Sequence, residues 1–280
     1  MIKRANFYML FLILYIQIIG YVMWHFIDAV SIHVLQSVSL LLTFAVPFGF
    51  YIIFTKEKLT EILPLKPLSI SNAILAICLS ILIMPAMMGI SAASSLIFDN
   101  NVEVFLDEAV KYPIIPVLIS AAVLPAALEE ITFRGIILTN FKKLSIKKAA
   151  VLSGLFFGLI HMDLQQFPYA FLMGIVFAVM VHYTKSIYAS VLSHFIINAA
   201  MITLIYAAGD LEQFPLFTAL MVSAPALFLT FRYFISYNLR NVTDETTISD
   251  TSGKSGLKAF TWELGAVLVV YFLLIAAVYL

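Results

Sequence analysis

The stretch LPAALEEITFRGIIL, residues 124–138, places two glutamates and an arginine in what is otherwise the pattern of a membrane-spanning helix. A charged side chain at the bilayer centre costs roughly 2.5–3.5 kcal/mol on insertion scales, so such side chains usually face the protein interior or a wet space. Glu130 and Arg134 are four residues apart, which makes them neighbours on one helical face and expected partners. Glu129 lies about 100° away around the helix. The stretch therefore predicts a buried ion pair beside a carboxylate that is left for other work.

The composition of the whole chain is that of an integral membrane protein. Of its 280 residues, 62% are hydrophobic and 11% are charged, whereas soluble domains are about 45–50% apolar. Because a spanning helix needs about 20 apolar residues, we expect an all-α polytopic bundle of about eight core helices plus a C-terminal helix. The expected spans cover about residues 7–26, 33–54, 72–97, 113–140, 148–162, 167–183, 187–207, 214–236 and 260–280. The zero net charge gives no indication of a nucleic-acid partner.

The positions of the basic residues predict the orientation. With a cytoplasmic N-terminus, all of the 16 Lys and Arg residues except Lys111 and Arg134 fall in inner segments, as the positive-inside rule requires. We divide the chain into a membrane domain at 1–237, a polar cytoplasmic linker at 238–259 and a C-terminal spanning helix at 260–280. The lysine-rich inner loops favour a multi-pass protein of a bacterial plasma membrane.

Two later spans also carry polar side chains, in FFGLIH, which ends at His161, and in HFIIN, from His194 to Asn198. Glu129, His161 and Asn198 each lie 13 residues from the nearest cytoplasmic lysine, which corresponds to about 20 Å of helix. His194 lies about 14 Å from that side. Polar groups at similar depth on successive helices predict one buried site between the helices.

These residue types permit two kinds of hydrolysis. A carboxylate and an imidazole can together remove a proton from water, while a second histidine and an asparagine donate hydrogen bonds to a developing oxyanion. Alternatively, Glu129, His161 and His194 could hold a zinc ion that activates the water, although the chain has no HExxH helix. A purely structural reading is also open: Glu130 and Arg134 would pin a helix, and each histidine would bond between helices.

The order EExxxR, FxxxH, HxxxN resembles the signature of the CPBP intramembrane endopeptidases, which include the CAAX proteases and the bacteriocin-processing or Abi proteins. The matching residues, between about 115 and 205, are Glu129, Glu130, Arg134, Phe157, His161, His194 and Asn198. The resemblance implies that Glu129 and His161 activate water and that His194 and Asn198 form the oxyanion hole. It also implies that Glu130 and Arg134, together with Phe157, support the site, which is open toward the cytoplasmic side.

The resemblance favours a glutamate-dependent reaction without a cofactor, with zinc as the alternative. It implies the lipid bilayer and a membrane-associated peptide or protein as partners, through CAAX-type cleavage or peptide processing. Two other functions stay open. One is a noncatalytic membrane scaffold or bacteriocin-immunity protein, and the other is a proton-coupled transporter, because intramembrane Glu, His and Arg also form proton relays.

Overall fold

A computed structural model describes residues 1–208, 216–241 and 261–279, and it confirms the expected all-α membrane bundle. Outside the helices, one isolated antiparallel bridge joins Leu65 and Ser186 in the described part of the chain. The helices are α1 Ile2–Trp24, α2 Ile32–Thr55, α3 Ile70–Ser95, α4 Asn101–Ala109, α5 Ile114–Asn140, α6 Ile146–Leu159, α7 Phe167–Thr184, α8 Ile187–Ala208, α9 Leu216–Arg240 and α10 Trp262–Tyr279.

Seven of these helices are long and apolar enough to cross a membrane, namely α1, α2, α3, α5, α7, α8 and α9. The expectation of a multi-pass membrane protein is confirmed. Helix α6 has only 14 residues, and α10 is a further short apolar helix. The first helix begins at Ile2 instead of near residue 7, so Lys3 and Arg4 belong to it.

The acidic segment between α3 and α5 contains helix α4. Asn100 caps this helix by accepting a hydrogen bond from the backbone N–H of Glu103 at 3.1 Å. At the other end, the Tyr206 hydroxyl of α8 donates to the carbonyls of Ala109 and Tyr112 at 2.7 and 2.9 Å. Helix α4 is thereby tied to the bundle at its C-terminal end.

Helix α5, which carries the quoted stretch, is irregular at two places. It widens into π-helical turns at Ile119–Val123 and Ile131–Ile137. Pro125 lies between them, and a proline inside a helix has no N–H and collides with the carbonyl four residues earlier. The π turn before Pro125 lets the helix continue past it. Single π-helical turns inside α-helices occur frequently at functional sites.

Helices α6 and α7 cross at glycines. A Cβ atom added to Gly174 would lie 2.6 Å from Gly154 Cα, and one added to Gly154 would lie 2.8 Å from the Phe171 carbonyl oxygen. Small residues allow such close approach of membrane helices. The crossing brings the backbone of α7 within reach of the side chains of α5.

The C-terminal helix packs against α1. Its residues Leu264, Val267, Tyr271 and Ile275, which share one face, are buried. The Asn6 amide donates to the Thr261 hydroxyl at 2.8 Å, and Lys3 lies 3.9 Å from Glu263. Helix α9 continues to Arg240, past the expected boundary at 237. The expected linker lies largely outside the described residues, and the division into domains stays a prediction.

We predict that Gly174→Ala lowers the free energy of unfolding by about 1–3 kcal/mol, because the new methyl group meets backbone that cannot move aside. The measurement is thermal or denaturant unfolding in detergent. The matched control is Gly20→Ala, since a Cβ there meets nothing within 4 Å. Equal stability of the two variants would contradict the close glycine crossing.

Candidate active site

Glu130 and Arg134 form the ion pair that their spacing predicts, and both side chains are fully buried. Arg134 Nη1 donates to Glu130 Oε1 at 2.9 Å. The same oxygen lies 3.0 Å from Nδ1 of His194, on α8. Because an ionised carboxylate only accepts hydrogen bonds, the His194 proton on this side belongs to Nδ1. One carboxylate oxygen thus links α5 to α8 and compensates the buried guanidinium.

The Arg134 guanidinium is held on its other sides by aromatic rings and by backbone. Its Cζ lies 4.5 Å from the ring centroid of Phe157, with Phe177 at 5.2 Å and Phe133 at 5.9 Å. A desolvated cation over an aromatic ring is attracted by the ring quadrupole, whose face is negative. Nη2 donates to the Gly174 carbonyl at 3.0 Å. Arg134 therefore connects α5, α6 and α7.

Phe157 lies at the centre of the polar residues. Its ring contacts His161 at 5.3 Å and His194 at 5.7 Å between centroids, both edge-on. The Phe157 carbonyl is 2.7 Å from His161 Nδ1. A carbonyl can only accept, so Nδ1 carries the proton and Nε2 of a neutral His161 has a free lone pair. Phe157 thus fixes the histidine by its backbone and packs against the arginine by its ring.

Glu129 occupies a different environment from Glu130. Its side chain is buried, with 8% of the residue exposed, and Oε2 has no hydrogen-bond partner among the described residues. The negative charge of Glu129 interacts favourably with His161 and with Arg134. Oε2 of this carboxylate is therefore free to accept a further hydrogen bond.

Asn198 contacts α5 at a special position. Its Nδ2 donates to the Ala121 carbonyl at 3.0 Å, and Ala121 is the residue whose carbonyl would have received an N–H from residue 125 in a regular helix. Pro125 has no N–H to give. The amide group of Asn198 carries two N–H bonds, so one is left for another acceptor.

Sequence reasoning missed the importance of the turn after His161. Polar residues in a turn between helices usually meet solvent, but Asp163 is 6% exposed and Gln165 is fully buried. Their side chains bond to backbone and to neighbouring helices. The available signal was an aspartate four residues before the start of α7, followed by two glutamines. This pattern could not reveal the burial.

The residues considered for zinc do not meet the geometry of a metal site in this structure. Among the described residues, no three His, Cys, Asp or Glu side chains are grouped so that they could hold a metal ion. Both His161 and His194 have Nδ1 engaged and Nε2 available, which is the usual chemistry of a ligand. Glu129, His161 and His194 do not form such a group, and zinc stays the untested alternative to a reaction without a cofactor.

The comparison with protein families bears on this region of the chain. Residues 111–200 match the family described as type II CAAX prenyl endopeptidase Rce1-like. No curated protein and no solved structure matches the chain. The match includes α5, α6 and α7 and the first part of α8, and with them every residue of the candidate site. The resemblance to the CPBP and CAAX protease family is confirmed, and this family is a family of proteases.

We predict that Arg134→Met destabilises the protein by up to about 3–5 kcal/mol, because Glu130 is left as a buried charge without its main cation. The double variant Glu130→Leu with Arg134→Met should lose less, since both charges are removed together. Unfolding in detergent is the measurement. Arg232→Met is the matched control, because Arg232 also lies near a phenylalanine ring, with its guanidinium carbon 5.9 Å from the Phe228 centroid, but is exposed. A double variant less stable than Arg134→Met would contradict the pairing.

Proposed function

We propose that this protein is an intramembrane endopeptidase that hydrolyses a peptide bond near the cytoplasmic side of the membrane, with water activated by Glu129 and His161. One observation carries the proposal. A buried carboxylate, Glu129, has an oxygen without a hydrogen-bond partner, and His161 has its Nδ1 occupied and its Nε2 available. Both residues lie within the stretch that matches a protease family.

The activation of water follows from the separate hydrogen bonds of the two groups. His161 donates through Nδ1 to the Phe157 carbonyl, so its Nε2 can accept a hydrogen bond from water. Glu129 takes the other proton of this water through the oxygen that has no other partner. The hydroxide formed attacks the carbonyl carbon of the scissile bond, Glu129 passes its proton to the amide nitrogen, and the C–N bond breaks to release the amine.

The oxyanion formed by this attack is stabilised by His194 and Asn198. Asn198 offers the amide N–H that Ala121 does not use. His194 binds Glu130 through Nδ1, so it can donate from Nε2 only when its ring carries both protons. Glu130 therefore acts through His194 and does not touch the substrate.

The remaining residues hold these groups in place. Arg134 fixes the Glu130 carboxylate, and the Phe157 ring packs against the guanidinium and both histidine rings while its carbonyl anchors His161. Catalysis by positioned groups depends on geometry at the level of about 1 Å. A support built from buried and mutually bonded side chains supplies this rigidity.

The substrate is proposed to be a membrane-associated peptide or protein, reached from the lipid bilayer. The family match names prenyl endopeptidases, which supports a CAAX-type substrate with a lipid-modified C-terminal segment. Processing of another membrane-bound peptide is the alternative within the same chemistry. The cytoplasmic position of the N-terminus is part of the proposal and rests on the distribution of Lys and Arg.

We predict that Glu129→Gln lowers the rate of cleavage by about 10²–10⁴-fold, because the amide cannot take a proton from water. Purified protein in detergent is assayed with a quenched fluorescent peptide library that includes prenylated C-terminal peptides. Glu103→Gln, at an exposed position on α4, is the matched control. A fully active Glu129→Gln variant would refute the role of Glu129. If folded wild-type protein cleaves nothing in a broad library, a noncatalytic scaffold becomes the better explanation.

We predict that metal chelation leaves cleavage unchanged. The test compares 1,10-phenanthroline with its non-chelating isomer 1,7-phenanthroline, so that effects of the aromatic compound on the detergent micelle cancel. Inhibition by the chelator alone, reversed by added zinc, would instead assign the water activation to a metal.

A further inference from the structure

The turn that follows His161, residues 162–166, carries buried polar side chains that bond to two other helices. Asp163 and Gln165 are both buried, although the turn connects two helices, a position at which polar side chains usually meet solvent. Burying such groups is costly unless they are hydrogen-bonded. Their partners therefore show what the turn is built to hold.

Asp163 bonds in two directions. Oδ1 accepts the backbone N–H groups of Gln165 and Gln166 at 2.7 and 3.1 Å, which closes the turn and starts α7. Oδ2 accepts the side-chain amide of Asn101 at 2.9 Å. Asn101 is the first residue of α4. The carboxylate thus ties the turn to the acidic helix between α3 and α5.

Gln165 ties the same turn to α3. Its Nε2 lies 2.8 Å from the Ser91 hydroxyl, 3.2 Å from the Ser91 carbonyl and 3.1 Å from the Ser95 hydroxyl. Ser91 and Ser95 are one turn apart at the C-terminal end of α3. Together, Asp163 and Gln165 attach the turn to two other helices.

Met162 stands directly between His161 and Asp163, and its backbone is left-handed, with φ of 51°. Residues other than Gly, Asn and Asp rarely adopt this conformation. It persists only where the surrounding structure imposes it. The bonds of Asp163 begin at the next residue. They fix the chain on one side of Met162, while the bond from His161 to the Phe157 carbonyl fixes it on the other.

We propose that Asp163 and Gln165 are positioning residues for His161: with Asn101, Ser91 and Ser95, they hold the left-handed turn that directs His161 Nε2 toward Glu129. The proposal rests on the proposed function of His161 in activating water. Neither residue touches the substrate. If the turn loosens, His161 keeps its chemistry but loses its direction, so kcat falls while KM is retained.

The test exchanges the two ends of the Asn101–Asp163 hydrogen bond. Asn101→Asp places two carboxylates against each other, whereas the double variant Asn101→Asp with Asp163→Asn restores an amide–carboxylate pair of inverted polarity. Asn100→Asp is the matched control, because it also places a carboxylate against another one, that of Glu103, and keeps the helix cap, but it leaves the Asn101–Asp163 hydrogen bond in place.

We expect Asn101→Asp to lower kcat by about 10-fold or more with KM within about twofold. The double variant should recover to within about threefold of wild type, and Asn100→Asp should behave as wild type. Gln165→Met, which removes the donor at similar length, should also lower kcat at unchanged KM. A kcat unaffected in both Asn101→Asp and Gln165→Met, or a double variant as slow as Asn101→Asp, would overturn the proposal.

Nitrogen-15 NMR of the histidine rings gives a readout that does not depend on cleavage. The His161 signals, assigned by comparison with His161→Ala, should show a protonated Nδ1 in wild type and a changed tautomer ratio in Asn101→Asp, with recovery in the double variant. An unchanged His161 signal in Asn101→Asp would overturn the positioning role. Changed signals in a protein whose cleavage does not require Glu129 would instead refute the proposed function and leave the role of the turn intact.

Discussion

The burial of the Arg134 guanidinium among membrane helices constrains the arrangement of the rest of the bundle. A permanent positive charge removed from water is tolerated only when it is surrounded by compensating groups. Glu130 supplies the opposite charge, Gly174 supplies a carbonyl, and Phe157 and Phe177 supply ring faces. These groups come from three helices. Each helix must therefore approach α5 closely, and the glycine crossing of α6 and α7 makes the approach possible.

The same interaction separates the roles of two adjacent glutamates. Glu130 faces the arginine and His194, and its Oε1 is bonded to both of them, while its Oε2 has no hydrogen-bond partner among the described residues. Glu129, turned away around the helix, keeps an oxygen without a partner. Adjacent residues of identical chemistry thus differ in what they can do, because the helix directs them to different neighbours. One carboxylate organises the site, and the other is free to act on a substrate.

Three backbone carbonyls complete the site, and each is bonded to a polar side chain of the family motif. Ala121 accepts from Asn198, Phe157 from His161, and Gly174 from Arg134. Pro125, four residues after Ala121, has no N–H to give to the Ala121 carbonyl. The Gly174 carbonyl can be reached because no Cβ keeps the helices apart. The rigidity of the polar side chains therefore depends on irregularities and close contacts of the backbone.

The sequence by itself determined the membrane-spanning, all-helical class, since long apolar runs have few alternatives in a bilayer. It also determined the pairing of Glu130 with Arg134, because a four-residue spacing is a local property of a helix. Only the tertiary structure decided that Glu130 also binds His194, that Phe157 lies between both histidines, and that Asp163 and Gln165 are buried. These contacts join residues between 37 and 74 positions apart, and no local pattern encodes which distant helix meets which, because that choice depends on packing of the whole bundle.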